Sequence, residues 1–348
     1  MKILISYLFC TKGGVETALV NRLKEVNTSL YEIDLLFFKD YGGLSMFHDW
    51  DGNVYIEEYA ENIKKLIIDN QYDIVIAIDS KEILEMIKAI EYDGKIGLEV
   101  HTTYEEGLKY LSSEVIDSVD FIIVPSEYQK KLVQSKINNK NIFILGNAVS
   151  GNLVYQSQCK FPYHKKIVLW VGRIDPHKNW KLFLKIASEL SKLDEKLIFW
   201  VVGGLKSRTE EIKEFEEMIY ELDLECKVRW IPQVDYQKMS EIYSLAANSG
   251  GCYISTSHNE SFGMTVIEAM ICRCPVIVHA VGSLTELVQE GRGLCLKNME
   301  ETEKIKAMFH FINSSDREKI VNRAERYVNE NFSCKSIGLT FCKILDKV

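Results

Sequence analysis

Short runs of Ile, Val and Leu recur along almost the whole chain, separated by longer stretches whose apolar residues fall at three- and four-residue spacing. The first half contains KILIS (2–6), IDLLFF (33–38), DIVIAI (73–78), KIGLEV (95–100), DFIIV (120–124) and NIFIL (141–145). The second half contains KIVLWVG (166–172), LIFWVVG (197–203), KVRWI (227–231), CYIST (252–256), PVIVHA (275–280) and GLCL (293–296). These runs are apolar on both faces, as strands of a parallel sheet covered by helices on each side must be. The stretches 16–27, 58–69, 80–92, 179–193, 207–222, 235–247 and 301–331 read as the helices between them. Repeated strand–helix alternation predicts right-handed crossovers and an α/β fold of doubly wound sheets.

The alternation breaks once, at 147–163, NAVSGNLVYQSQCKFPY, which lacks periodicity and reads as a linker. A chain of 348 residues is about right for two domains. This places a first Rossmann-like domain at 1–150 and a second at 165–331, followed by a tail at 332–348. Composition narrows the class. With 47% hydrophobic and 26% charged residues the chain is expected to be a well-packed soluble protein. A net charge of −8 argues against nucleic-acid binding, which needs a basic surface. No apolar run reaches the roughly 18–20 residues of a membrane span. The opening MKILISYLFC runs straight into KGGVE and reads as a first buried strand, not a signal peptide. Nine scattered cysteines, an odd number, fit reduced thiols in a cytoplasmic protein. Cys272 and Cys274 form a lone CxC, read as two packed thiols because no second ligand pair lies nearby.

Ligands of open parallel sheets bind beyond the carboxyl ends of strands, so the residues that follow strands carry the chemistry. After the first strand comes Thr11-Lys12-Gly13-Gly14-Val15-Glu16, where paired glycines admit close backbone approach and the next helix offers free N–H groups; a simple tight turn is the competing reading. The loop is not GxGxxG, so no dinucleotide fingerprint is present. His101 ends KIGLEV and could donate to a substrate hydroxyl or stabilise developing charge, or simply be a satisfied structural histidine. Asn147 follows the last strand of the first domain, where a turn role is favoured over a ligand contact. In Gly172-Arg173-Ile174-Asp175-Pro176-His177-Lys178, two cations follow a strand and could clamp a pyrophosphate, although surface cations are commonplace.

The strongest signal is Ser257-His258-Asn259-Glu260-Ser261-Phe262-Gly263-Met264-Thr265-Val266-Ile267-Glu268, a strand–loop–helix unit whose helix should begin near Phe262 to Met264. The first amides of that helix could hold sugar hydroxyls or a phosphate. Glu268 falls about one turn in, among Val266, Ile267, Ala269 and Met270, where a carboxylate is costly without a partner; a ribose diol would supply two donors. Glu260, on the loop, could accept from sugar hydroxyls; an N-terminal helix acid favoured by the dipole explains Glu260 but not Glu268.

Two glutamates with seven residues between them, FG inside and EAM then PVI after, resemble the EX7E signature of retaining glycosyltransferases of family 4. GGVE (13–16), VGRIDPHKN (171–179), and Gly282 with Glu286 in VGSLTE follow in the order of that family. The resemblance implies the GT-B fold, two Rossmann-like domains facing a cleft, with acceptor bound by the first, nucleotide sugar by the second, and the tail packed back on the first. It implies that Gly13 and Gly14 approach the donor phosphates, His101 contacts the transferred sugar, and Arg173 and Lys178 hold the pyrophosphate. Glu260, Ser261 and the amides of Phe262, Gly263 and Met264 would take sugar hydroxyls, Glu268 the ribose, and the loop near Pro232 to Val234 the base. His101, Arg173, Lys178 and Glu260 would be the catalytic set, with no metal and no cofactor beyond the nucleotide-sugar co-substrate. Two departures stand out: Gly203-Gly204-Leu205-Lys206 replaces a GDGP-like turn, and Arg273 stands where a small residue is usual.

The expected activity is retaining transfer of a hexose or N-acetylhexosamine, UDP-linked by preference, to a glycan, lipid-linked or other hydroxyl acceptor in cell-surface polysaccharide or glycoconjugate synthesis. A non-catalytic nucleotide-sugar-binding protein and a GT-B-like sugar-nucleotide epimerase are the alternatives. The stretch 126–141 carries Lys130, Lys131, Lys136 and Lys140 with Leu132, Val133 and Ile137, and reads as a solvated basic helix or as a peripheral contact with an anionic inner membrane face.

Overall fold

The computed structural model describes every residue except 138–139, 162–163 and 206. The chain divides into two units: Met1–Ala148 with Phe332–Val348, and Val149–Asn331.

In the first unit the elements run β1 (Lys2–Cys10), α1 (Gly14–Leu23), β2 (Glu32–Asp40), β3 (Val54–Ile56), α2 (Ala60–Asn70), β4 (Ile74–Ile78), α3 (Lys81–Lys88), β5 (Lys95–Glu99), α4 (Ser113–Asp117), β6 (Phe121–Val124), α5 (Glu127–Gln134) and β7 (Asn141–Ile144). The strands form one sheet in the order β3-β2-β1-β4-β5-β6-β7, parallel throughout. Alternate residues of a strand face opposite sides, and here both sides are apolar: Ile74, Ile76 and Ile78 belong to one core, Val75 and Ala77 to the other. β3 is the strand that periodicity misses, because three edge residues, two half-buried and one exposed, are too short a run to show a pattern.

The second unit runs β8 (Lys166–Val171), α6 (Trp180–Leu193), β9 (Leu197–Val202), α7 (Thr209–Glu221), β10 (Val228–Ile231), α8 (Met239–Asn248), β11 (Cys252–Ser255), α9 (Met264–Ile271), β12 (Val276–His279), α10 (Leu284–Leu287), β13 (Leu294–Leu296), α11 (Glu301–Ile312) and α12 (Arg317–Phe332). Its parallel sheet has the order β10-β9-β8-β11-β12-β13, so connections reverse direction between β8 and β11. That reversal opens a crevice beyond the carboxyl ends of these two strands. In the first unit the reversal falls between β1 and β4.

The stretch 301–331, expected as one helix, is two. Asn313 ends α11 by donating both its backbone N–H and its side-chain amide to Phe309 O, and Ser314 Oγ accepts from Asp316 N. Asn, Ser and Asp offer the backbone local hydrogen bonds that compete with the helix. The expected linker also behaves differently. Tyr155 bonds Asn248, Gln156 bonds Ser240 and Ser244, and Asn248 donates to the carbonyls of Gln156 and Cys159, so 155–159 is fastened to α8. The end of that stretch, Pro162 and Tyr163, and Lys206 of the Gly203–Gly204 turn lie outside the described residues. Arg273 ends α9 with a left-handed backbone (φ 56°), pairs with Glu318 and Glu325 of α12, and lies 5.5 Å over the Tyr155 ring. It is a structural fastener of the second unit.

The chain returns to the first unit as α13 (Cys334–Leu345), which buries Ile337, Phe341, Ile344 and Leu345 against Leu19 and Leu23 of α1. Gly338 permits the approach: a Cβ there would stand 3.1 Å from Glu25 Cβ. Tyr31 OH donates to Asp346 Oδ1 at 2.6 Å. No helix among the described residues is long and apolar enough to cross a membrane.

Candidate functional site

In the second unit the loops after β8 and β11 lie side by side, because their strands are neighbours at the reversal. His258 N donates to His177 O at 2.9 Å, and Thr256 Oγ1 lies 3.0 Å from the carbonyls of Lys178 and Asn179. This backbone lacing brings Lys178 Nζ to 2.5 Å from Glu260 Oε1, which also accepts from Ser257 Oγ at 2.7 Å. Arg173 stands apart. Its side chain is 71% exposed and pairs with Asp175 Oδ2, while Asp175 Oδ1 accepts from Lys178 N. Asp175, unremarked in the sequence, therefore ties the two cations to one loop.

Glu260 is held from behind by the segment after β12. Ser283 N and Oγ both donate to Glu260 O, at 2.9 and 3.1 Å. Gly282 has φ +52°, and a Cβ on it would sit 2.2 Å from that same carbonyl oxygen. Gly263 caps α9 with φ +100°, a conformation that glycine adopts without strain. Phe262 is buried, Ser261 and Met264 are partly exposed, and α9 itself begins at Met264. The first-turn amides of a helix have no intrahelical partner, and their partial positive charge suits an anion or a hydroxyl oxygen. The Gly203–Gly204 turn has left-handed φ at both residues, and a Cβ at Gly203 would meet Gly172 O at 2.5 Å. Two glycines thus fit the place of the GDGP-like turn by close packing against the β8 loop.

Glu268 does not wait for a ligand to satisfy it. Tyr236 OH donates to Oε1 at 3.1 Å and Tyr243 OH to Oε2 at 3.0 Å. Burial pushes its carboxyl up to about 7, although the tyrosine hydroxyls favour the ionised form. Each carboxylate oxygen still has a second acceptor direction, so two further hydroxyls can be received. The tyrosines were missed in the sequence; their seven-residue spacing in DYQKMSEIY, two helical turns, was the available signal. Val234, on the loop before Tyr236, is half-buried.

In the first unit, Gly13 caps α1, and Glu16 folds back to accept from Thr11 N at 2.6 Å and Thr11 Oγ1 at 2.7 Å. A Cβ on Gly13 would meet both side chains at 2.9 Å, whereas one on Gly14 would meet nothing within 4 Å. Open space at Gly14 leaves room for a ligand. His101 lies beyond β5, its Nε2 2.7 Å from Glu99 Oε1. Glu99 is fully buried and doubly bonded to Arg22 of α1. Burial alone would push this carboxyl up, but the charge and hydrogen bonds of Arg22, aided by His101, outweigh it and hold Glu99 well below the usual range. Asp79, at the end of β4 with φ 43°, accepts from His101 N, Thr102 Oγ1 and Tyr110 OH. Burial raises its carboxyl. Asn147 is buried, with no partner for Oδ1 among the described residues.

The basic stretch around α5 offers cations without an apolar face. Val133 and Ile137 are buried in the core and Leu132 packs against it, while Lys140 Nζ donates to Val119 O. Lys131 and Lys136 are exposed and Lys130 is partly so. Positions 138–139 of that stretch are outside the described residues.

The second unit is similar in sequence to known glycosyl transferases. Residues 155–327 match the family model described as glycosyl transferases group 1. A probable sucrose-phosphate synthase of Thermosipho melanesiensis is 23% identical over 254 residues, covering 70% of this chain and 58% of that protein. A D-inositol 3-phosphate glycosyltransferase of Kineococcus radiotolerans is 32% identical over 149 residues, covering 41% of this chain and 33% of that protein. The chain thus spans less than two thirds of the length of these relatives. Among solved structures, Anabaena HepE in complex with UDP and glucose superposes with a TM-score of 0.83 at 17% identity, covering 100% of both chains. That likeness, with the two parallel Rossmann-like sheets, shows the GT-B fold. Lys178, Glu260 and Glu268 all lie within the stretch that matches the glycosyl transferases group 1 model.

Proposed function

We propose that this chain transfers a sugar from a nucleoside diphosphate donor, UDP-linked by preference, to a hydroxyl acceptor with retention at the anomeric carbon. The observation that carries this reading is the Lys178–Glu260–Ser257 cluster at the sheet reversal, with Glu268 on the adjoining helix. Lys178 and Arg173 would balance charge on the departing diphosphate, helped by the amides that open α9. Glu260 would accept from sugar hydroxyls, and Glu268 from the ribose diol. Diphosphate departure would proceed without a metal, and turnover is expected to survive a chelator. In the first unit, Gly14, with open space where a Cβ would stand, and His101, beyond β5, are the candidates for sugar contact. The matched family and the UDP and glucose held by HepE support the donor class. The acceptor is a glycan or a lipid-linked saccharide in surface-polysaccharide synthesis, inside the cell. Approach to an anionic lipid surface would rest on Lys130, Lys131 and Lys136 as charges alone, since the apolar residues of that stretch are core.

Incubation with a panel of UDP-, GDP- and ADP-sugars, with and without acceptor, followed by mass spectrometry, tests the proposal. Donor loss that depends on acceptor is the expected result. Conversion without acceptor would instead mean epimerisation, binding without conversion a sensor, and binding of no nucleotide sugar would overturn the reading.

A further inference from the structure

The cluster behind His101 settles which ring nitrogen carries the hydrogen. Arg22 meets Glu99 with two hydrogen bonds, Nη1 to Oε2 at 2.8 Å and Nη2 to Oε1 at 2.5 Å, and both side chains are almost wholly shielded from solvent. A guanidinium does not give up its proton in a protein, and a buried one needs a counter-ion. Glu99 is therefore ionised and can only accept. The 2.7 Å contact from His101 Nε2 to Glu99 Oε1 then requires a hydrogen on Nε2. Phe341 of α13 lies 5.1 Å over the guanidinium, closing the far side of the pair with an aromatic ring. Asp79, the other carboxylate near His101, is engaged by the backbone N–H of His101, by Thr102 and by Tyr110, so it fixes the loop and not the ring. Among the described residues no group bonds Nδ1.

We propose that Glu99 is a positioning residue that holds neutral His101 as its Nε2–H tautomer, leaving Nδ1 as the ligand-facing atom and making it an acceptor for a sugar hydroxyl. The ligand class rests on the proposed function; the tautomer does not. A histidine free to choose its tautomer could donate to a substrate oxygen from either nitrogen. Here the donor nitrogen is already committed, so the neutral ring contributes a lone pair instead. The arrangement follows the logic by which a buried carboxylate sets the tautomer and orientation of a catalytic imidazole.

Two measurements test this. Nitrogen-15 spectra of the free protein at about pH 8, where an ordinary histidine is neutral, should show His101, assigned by loss of its signals in His101→Ala, with the hydrogen on Nε2. A ring protonated on Nδ1, or on both nitrogens, would overturn the proposal whether or not the chain turns over any donor. Glu99→Gln should relax the preference toward the mixture of free imidazole; should that variant fail to fold, the wild-type spectrum still decides. Asn places a polar atom near Nδ1 of the histidine it replaces, and Gln places one near Nε2. With the nucleotide sugar found active, His101→Asn should keep at least about tenfold more turnover than His101→Gln. The reverse order removes the assignment of Nδ1, and the substrate whose KM rises identifies the source of the hydroxyl. Absence of turnover in the wild type would indict the donor reading alone.

Discussion

Lys178 and Glu260, 82 positions apart, form an ion pair at 2.5 Å with Ser257 bonded to the same carboxylate oxygen. The groups proposed for opposite ends of the donor's scissile bond thus neutralise each other in the free protein. A diphosphate and a sugar hydroxyl that use them must redistribute an existing pair. The side chains are 22% and 15% exposed, so the pair is shielded enough to matter to stability. A double-mutant cycle with Lys178→Met and Glu260→Gln, read by urea unfolding, should give a coupling of roughly 1–2 kcal/mol. Each single variant should also weaken donor binding by at least about tenfold; an additive cycle with unchanged donor affinity would disprove the linkage.

Glu268 gives the domain a pH signature. Its carboxyl is raised by burial from 4.5 to about 7. The folded form therefore binds this proton more tightly than the unfolded chain. Its contribution to stability is full below about pH 4.5 and is lost as pH rises to about 7, a change of roughly 3 kcal/mol. Glu268→Gln should abolish that slope, so its stability relative to wild type increases across the same interval in urea titrations. Donor affinity should run the opposite way in the wild type, rising as pH passes about 7 and the carboxylate becomes a full acceptor. A flat profile for both quantities would count against the buried ionisation.

Gly282 and Gly14 should respond differently to alanine. At Gly282 the backbone is left-handed and a Cβ would press within 2.2 Å of Glu260 O. Gly282→Ala should cost about 1–3 kcal/mol and displace Glu260, lowering donor affinity. Gly14→Ala meets no neighbour within 4 Å and should leave the melting temperature essentially unchanged. Any loss of donor binding in Gly14→Ala would then report on ligand approach, which calorimetry with the active nucleotide sugar can measure.

The pattern that exposed the fold was apolarity on both strand faces, and it worked because central strands such as Ile74–Ile78 are buried on both sides. It failed where burial is partial, as at Val54–Ile56, and where side-chain capping outweighs periodicity, as at Asn313. Lys178 and Glu260 were legible because each lies on a loop that follows a strand, and Glu268 because it is a carboxylate about one turn into an apolar helix. Their partners were not. Tyr236 and Tyr243 reach Glu268 from another helix region, and Arg22 reaches Glu99 across 77 positions, pairings that only tertiary packing creates. A charged residue inside the apolar run KIGLEV was the one local hint that Glu99 had a buried counter-ion.

Removal of residues 332–348 should destabilise the first unit severely. Ile337, Phe341, Ile344 and Leu345 are each at most 4% exposed, and burial of such side chains contributes roughly 1.5–3 kcal/mol apiece. Their loss also uncovers Leu19 and Leu23 of α1 and the Arg22–Glu99 pair. Stopping the chain after Asn331 should yield a first unit with lost tertiary circular dichroism, while the second unit retains its own cooperative transition. Two intact transitions in the truncated chain would show that α13 is dispensable.

The return of α13 to the first unit also sets an order of events during synthesis. Residues 1–148 leave the ribosome with one face of α1 bare, and the whole of Val149–Asn331 must emerge before Phe341 can cover Arg22. The first unit therefore begins folding earlier but completes later, and the second domain can fold while its predecessor still waits. The ring that closes over the guanidinium is translated only after the whole second unit, so the environment of His101 is finished only when α13 has been made.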